Sequence, residues 1–409
     1  MVPQPLTRRR TLLYSAGSVG AGAFYAFNNF VLPQLLKAAG ASDLVTGLLS
    51  STRSIEGAII QPTVGALSDR TRSRLGRRRP FIAIGIPLSA AFFLFAATQQ
   101  AVLGLAVAVF LFSIFFNAAA DPYTALLADI TTPGERGILQ GVSTGLQLIS
   151  QVTFLLLIAV ASGNGSAPGW TYLLVAGLMV GTFAVTVVGV REPVIVDASE
   201  ERLGLRRYAA DLLEYRQALR YLGAIFLFQV GFSAVLPYLT LFITTDIGQS
   251  EQVALALAAG TLLVTAGSAV VCGRLGDRIG MKPVLIIGWG LLAVAAFSGL
   301  IIQRLPETIA VVLLAGIGNG AATAAGWPLL ASLVPAQKVG VFAGLKAAAE
   351  SIAIPASVVI AAQIFLPRFS YRGVFALLAA GILLALFVLV RFVRPKDARP
   401  PGAAQPTAA

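Results

Sequence analysis

The sequence has no histidine, a single cysteine and little charge, with Asp, Glu, Lys and Arg making up only 12% of its 409 residues. Each shortage excludes something. Without histidine the chain lacks the commonest metal ligand and the usual general base. Cys272 has no second cysteine to pair with, and it falls in an apolar run where a thiol is a poor nucleophile. No Gly-Lys-Ser/Thr element that would cradle a phosphate follows any strand-like segment. The chain is therefore not expected to be an enzyme, and neither a cofactor nor a bound metal is expected. A soluble domain would also carry roughly twice this charged fraction.

What is abundant is apolar. Hydrophobic residues make up 57% of the chain and the mean hydropathy is +0.83, so the bilayer is the expected solvent. The 30 basic residues exceed the 18 acidic ones by 12. In a soluble protein that excess would suggest nucleic acid; here its placement between apolar runs assigns it to membrane topology, and no nucleic-acid partner is expected. The N-terminal MVPQPLTRRRTLLYSAGSVGAGAF has a basic start and an apolar run without a convincing cleavage site, and reads as a retained first span.

A bilayer pass needs about 20 apolar residues. On that scale the sequence predicts twelve transmembrane helices, near 12–35, 44–67, 80–98, 101–128, 138–162, 170–190, 220–244, 253–272, 284–302, 307–333, 340–366 and 372–393. Most of the basic residues fall at the termini and in the loops that follow even-numbered spans. Such excess marks the cytoplasmic side, so both termini are predicted to be cytoplasmic, in a plasma (inner) membrane protein. The longest polar interval, 191–219, is predicted to be a partly amphipathic cytoplasmic linker. It divides an N-terminal six-helix bundle, 1–190, from a C-terminal one, 220–394, followed by a disordered Pro- and Ala-rich tail, 395–409.

An internal repeat supports this division. GALSDRTRSRLGRRRP, residues 65–80, holds six arginines and one aspartate; a shortened copy, GRLGDRIGMKP, occupies 273–283. Both copies fall between the second and third span of their half, as expected of parallel repeats with a substrate site near the midplane.

These elements resemble the signature of the major facilitator superfamily: Gly65, Asp69, Arg70, Gly76, Arg77 and Arg78 in the first copy, and Gly273, Asp277 and Arg278 in the second. The resemblance covers the whole chain and implies an all-α integral membrane fold of two six-helix bundles, with the first copy as a gating latch. A narrower resemblance, carried by EGAIIQPTVGALSDRTRSRLGRRRPFI (56–82) and DPYTALLADI (121–130), is to the glycoside-pentoside-hexuronide:cation symporters of the sucrose/proton and melibiose/cation types. The sequence departs from the sucrose carriers at Asp121-Pro122-Tyr123-Thr124, where an arginine is missing and an acid is gained. The first-span acid of melibiose carriers has no counterpart.

Ionisable groups at bilayer depth cost at least about 2.5 kcal/mol, so each needs a reason. Arg53 and Glu56 in the second span, and Lys346 and Glu350 in the eleventh, are three and four residues apart, which suits local ion pairs as well as a cavity. Asp121 has no basic neighbour one turn away, as a reversible proton site requires. The resemblance to melibiose carriers puts Glu56 and Asp121 on one cation site. The resemblance to sucrose carriers points instead to Asp129, for which the competing reading is an ion pair with the arginine cluster. The resemblance also matches Arg136 and Lys346 to residues important for sugar transport; as a basic residue at the mouth of a span, Arg136 equally fits a topology signal.

A sugar site needs amides and charges for hydroxyl groups and aromatic rings for apolar faces. Tyr25, Asn28, Asn29, Gln147, Gln229, Asn319 and Trp327 supply these in spans expected to line a cavity, with Arg53, Arg136 and Lys346 as charged partners; Gln151 and Tyr238 are further candidates. The expected protein is a monomeric secondary transporter, a proton- or sodium-coupled symporter for a sugar or glycoside. Its coupling ion, H+ or Na+, is assigned to Glu56, Asp121 and Asp129. The alternatives are a proton-driven efflux or pigment-related carrier of the same fold, or a non-transporting membrane assembly factor.

Overall fold

The computed structural model describes residues 7–51, 60, 63–65, 67–68, 71–132, 135–162, 169–192, 213–335 and 338–394. Arg53, Glu56, Asp69, Arg70, the linker residues 193–212 and the tail 395–409 lie outside the described residues. Among those described, every regular element is helical and no strand occurs.

The chain begins with α1 (Arg8–Ala26), whose first turn is capped by the Thr7 hydroxyl accepting from the Arg10 amide at 3.2 Å. It continues through a π-helical turn, Phe27–Val31, into α2 (Leu32–Ala38). Pro33 explains the wide turn: it has no N–H to donate, and its ring presses on the carbonyl four residues back, so the ladder opens by one residue. The same pattern recurs where Ala361–Phe365 precedes Pro367.

The elements that follow are α3 (Asp43–Leu49), α4 (Arg79–Ala96), α5 (Val102–Ile130), α6 (Arg136–Ser162) and α7 (Trp170–Gly189). The second half contains α8 (Arg216–Phe232), α9 (Val235–Leu241), α10 (Glu251–Ile279), α11 (Met281–Ile301), α12 (Leu305–Ser332), α13 (Val339–Ile360), α14 (Leu366–Phe369) and α15 (Gly373–Phe392). Nine stretches of the described residues are long and apolar enough to cross a bilayer. The last of them, Val341–Phe392, is 52 residues long. That length is more than twice a hydrocarbon core of about 30 Å, so the stretch holds two passes. It turns at Ser370, a non-glycine residue with φ of 53°.

Two compact units form, and their boundary departs from the midpoint of the sequence. The first joins Met1–Val196 with Val235–Leu263 and Val358–Tyr371; the second holds Asp197–Ala234, Val264–Ser357 and Arg372–Ala409. The physical reason is that α9 and the segment after α13 bond to α2 and α3, which draws second-half residues into the first unit.

In the first unit α1 packs on α6 and α7, and α4 packs on α5 and α7. Its core is aromatic: Phe24 stacks on Phe116 with centroids 3.6 Å apart, and Phe27 meets the edges of Phe93 and Tyr172 at 4.8 and 4.9 Å. Since lipid is as apolar as these side chains, close packing holds the helices together, and small residues at the crossings permit it. At Gly22 an added Cβ would sit 2.4 Å from the Gln147 carbonyl oxygen, so α1 and α6 meet backbone to backbone. In the second unit α11 packs on α12 and α15, and α8 crosses α15 where Gly231 faces Gly381.

Candidate functional site

Three polar constellations stand out in the first unit, one along its interior and one at each end. The interior one is a cavity of about 70 Å³ between α1, α5, α6 and α7. Its wall from α6 is Gln140, Ser143, Thr144 and Gln147, spaced i, i+3, i+4, i+7, so a single helix face supplies four polar groups. Tyr14, Ser18 and Tyr25 come from α1 and Tyr123 and Thr124 from α5, with Phe116 and Phe183 as apolar cover. A ligand pocket usually spans about 300 Å³ or more, so this one is contracted by comparison.

The floor of the cavity is a closed hydrogen-bond circuit. The Tyr14 hydroxyl donates to the Tyr123 carbonyl at 3.0 Å, and the Tyr123 hydroxyl donates to the Tyr14 carbonyl at 2.9 Å. With the Tyr123 proton committed, the Ser18 hydroxyl is the donor in its 2.8 Å bond to the Tyr123 oxygen. Ser15 and Ser143 join α1 to α6 at 2.8 Å.

Of the residues proposed from sequence for this unit, Tyr25 and Gln147 line the cavity. Asp121 is half-buried on α5, directly after the lining residue Ala120 and one turn before Thr124. Asn28 lies elsewhere: it is fully buried and donates to the Ser50 carbonyl at 2.9 Å, tying the first span to the second, with a longer contact to Asn29 at 3.4 Å. Gln151 is buried one turn beyond the lining face. Arg136 is exposed at the start of α6 and reaches the Ala128 carbonyl at 3.4 Å, outside the cavity.

The second constellation sits at the end that carries the N-terminus. Arg77 grips Asp129 with both arms of its guanidinium, Nη2 to Oδ1 at 2.6 Å and Nε to Oδ2 at 3.2 Å, and Arg78 adds a third contact at 3.3 Å. Arg78 also donates to the Ser68 hydroxyl. Glu192, beyond α7, accepts from the backbone amides of Arg77, Arg78 and Arg79 at 2.6, 3.0 and 2.7 Å. A carboxylate there satisfies orphan amides and faces the positive end of the α4 dipole. Gly76 makes the fit possible: its φ is +105°, and a Cβ would stand 2.6 Å from the Glu192 carboxyl group. Gly65 lies in the short helical stretch leading to Ser68.

The second signature copy is built differently. Gly273, Asp277 and Arg278 lie in the last turns of α10, which stays helical to Ile279, and Asp277 and Arg278 are exposed. The copy lacks the arginine run, and its Lys282 donates to the Val393 carbonyl, just beyond α15, at 2.7 Å.

The third constellation closes the opposite end. Asp43 Oδ1 pairs with Lys37 at 2.9 Å and accepts from the Tyr371 hydroxyl at 2.9 Å, while the Asp43 carbonyl accepts from Tyr238 at 2.6 Å. Gln34 donates to Thr244 at 3.1 Å, and Ser370 donates to Asp246 at 2.6 Å. Tyr238, a sugar-site candidate from sequence, is thus a fully buried brace. Asp43, Tyr371 and Glu192 escaped sequence reasoning because they flank spans, where charge and tyrosine are ordinary.

In the second unit Lys346 and Glu350 form an ion pair one turn apart on α13. The Tyr221 hydroxyl donates to the Gly326 carbonyl at 2.8 Å, while Trp327 beside it is 41% exposed. Gln229 and Asn319 are half-buried on α8 and α12.

Comparison with known proteins agrees with this architecture. A family model described as MFS/sugar transport protein matches residues 13–365. The multidrug resistance protein MdtG of Escherichia coli is 24% identical over 300 residues, spanning 69% of this chain and 70% of that protein. A lactose permease of Lactobacillus helveticus is 24% identical over 226 residues, 49% of this chain and 34% of the permease. Among solved structures, a mutant of the nucleoside transporter NupG shares the fold with a TM-score of 0.76 at 12% identity, covering 94% and 99% of the two chains.

Proposed function

Because this chain belongs to the MFS/sugar transport protein family, a family of membrane transporters and not of enzymes, we propose that it moves a sugar or glycoside together with H+ or Na+ by alternating access. The observation that carries this reading is the α1–α5–α6 cavity, where hydroxyl groups from three helices and two α6 amides converge, with Asp121 next in sequence to the lining residue Ala120. Such a wall suits a polyhydroxylated substrate better than a bare lipophile.

In this mechanism Asp121, with Glu56, binds the coupling cation. An ionised carboxylate at bilayer depth opposes closure, and binding the cation lowers that cost, so cation and sugar together make the occluded intermediate accessible. Asp129 serves the other role that its sequence allows, as the counter-ion of Arg77 and Arg78. The two ends of the first unit act as latches, one through Arg77, Arg78, Asp129 and Glu192, the other through Asp43, Tyr238 and Tyr371. With the basic loops facing the cytoplasm, both termini are cytoplasmic in the inner membrane, and the Asp43 cluster is the external latch, closed here.

The test is uptake of labelled mono- and disaccharides into proteoliposomes under an imposed proton or sodium gradient. Wild-type protein accumulates sugar against its gradient, whereas Asp121→Asn equilibrates it without accumulation; ion-driven accumulation by the variant would refute the assignment. The similarity to MdtG favours a second reading, proton-driven export of lipophilic compounds on the same fold. In that case no sugar accumulates, and a lipophilic dye is expelled when the proton gradient is imposed.

A further inference from the structure

We propose that a groove between α1 and α7, at the end carrying the N-terminus, binds an anionic membrane phospholipid. Its phosphate is held by Arg9, Arg10 and Arg191, and an acyl chain lies along Leu13, Val185 and Val188. The groove measures about 840 Å³, is open to the surroundings and is lined by these six residues together with small ones.

Its chemistry is divided by depth. On α7 the lining positions Gly181, Ala184, Val185 and Val188 fall at i, i+3, i+4 and i+7, so they form one continuous stripe. All four are exposed, Val188 to 79%. This stripe is apolar and floored by small residues, which makes a trough of acyl-chain width. The rim is cationic and sits at the helix ends, where headgroups lie. Arg9 and Arg191 are exposed, and neither forms an ion pair among the described residues. The acid next in sequence, Glu192, is committed to the amides before α4.

Guanidinium groups match phosphate oxygens two at a time, and basic pockets between helix ends are a recognised form of lipid headgroup site. A free phosphate would use only the rim, leaving the trough without purpose. A diacyl phospholipid with net negative charge occupies both parts, which is why the assignment is to lipid.

The experiment is native mass spectrometry of the delipidated full-length protein, titrated with dioleoylphosphatidylglycerol or dioleoylphosphatidylcholine. The expected result is a saturable phosphatidylglycerol adduct with an apparent Kd about tenfold below that of phosphatidylcholine. The triple variant Arg9→Gln, Arg10→Gln, Arg191→Gln abolishes that preference. A second variant, Gly181→Trp, keeps every charge and fills the trough; a Cβ at Gly181 meets no atom within 4 Å, so the backbone there accepts a side chain. It weakens the phosphatidylglycerol adduct. The proposal is overturned if the triple variant keeps the preference. It is equally overturned if Arg274→Gln, Arg278→Gln, Arg391→Gln removes as much of the preference, or if millimolar inorganic phosphate displaces the lipid from wild-type protein.

Discussion

Tyr14 and Tyr123 exchange hydrogen bonds, each hydroxyl donating to the other's main-chain carbonyl, while their rings stack at 4.6 Å between centroids. The exchange staples α1 to α5 beneath the cavity. Each such bond contributes about 0.5–1.5 kcal/mol. Tyr14→Phe and Tyr123→Phe each lower the melting temperature in detergent, Tyr123→Phe more, because Ser18 loses its acceptor as well. The double variant loses less than the sum, since contacting residues couple by about 0.5 kcal/mol or more. Full additivity would show that the two bonds act independently.

Asp129 and Asp277 both lie near the C-terminal end of a long helix, one paired and the other exposed, and substitution separates them. Asp129→Asn leaves Arg77 and Arg78 facing a neutral amide in a site where the aspartate side chain is only 10% exposed. Loss of one partner of a buried pair costs about 3 kcal/mol or more. Asp277 is exposed, and Asp277→Asn changes stability by about 0.5 kcal/mol at most. Thermal unfolding of the two variants side by side measures the difference; equal losses would remove the latch.

Gly47 lies directly under Tyr238. An added Cβ there would stand 2.2 Å from the Tyr238 hydroxyl, which cannot retreat because it is bonded to the Asp43 carbonyl. Overpacking of this kind costs about 1–3 kcal/mol, enough to shift a two-state equilibrium fivefold or more. Gly47→Ala therefore opens the Asp43 end. In a Cys272→Ser background, a cysteine introduced at Gln34 reacts faster with an impermeant maleimide, and adding Tyr238→Phe partly reverses the gain.

Lys346 and Glu350 answer to a charge cycle. Lys346→Met or Glu350→Gln alone strands a half-buried charge, at about 1–3 kcal/mol. The double variant regains much of that stability. If Lys346 also holds sugar, the double variant recovers its melting temperature while the KM for uptake stays raised. Recovery of both assigns the lysine to the ion pair alone.

The architecture was legible from the pattern of apolar runs, since a chain in lipid must satisfy its backbone internally and leaves only helices as an answer here. The arginine cluster was legible for the same reason, as a departure from a plain apolar helix. The cavity wall was half legible. Gln147 stood out as an amide, but Gln140, Ser143 and Thr144 became visible only as members of its helical face. That Asn28 and Tyr238 bond to neighbouring carbonyls was not legible, because a polar group in a span looks the same whether it faces a substrate or a carbonyl. Composition carries no information on that choice; helix phase does.

Phase is also what the wide turn at Phe27–Val31 controls. One residue inserted into a helical ladder turns everything beyond it by about 100°. Gln34 meets Thr244 at the phase that the extra residue before Pro33 sets. Were the turn to tighten into α-helix, Gln34 would swing away from Thr244, whereas Lys37 and Asp43 both lie beyond the turn and would move together. The backbone of the first span thus works as a rotary catch, whose position decides the contact between Gln34 and Thr244.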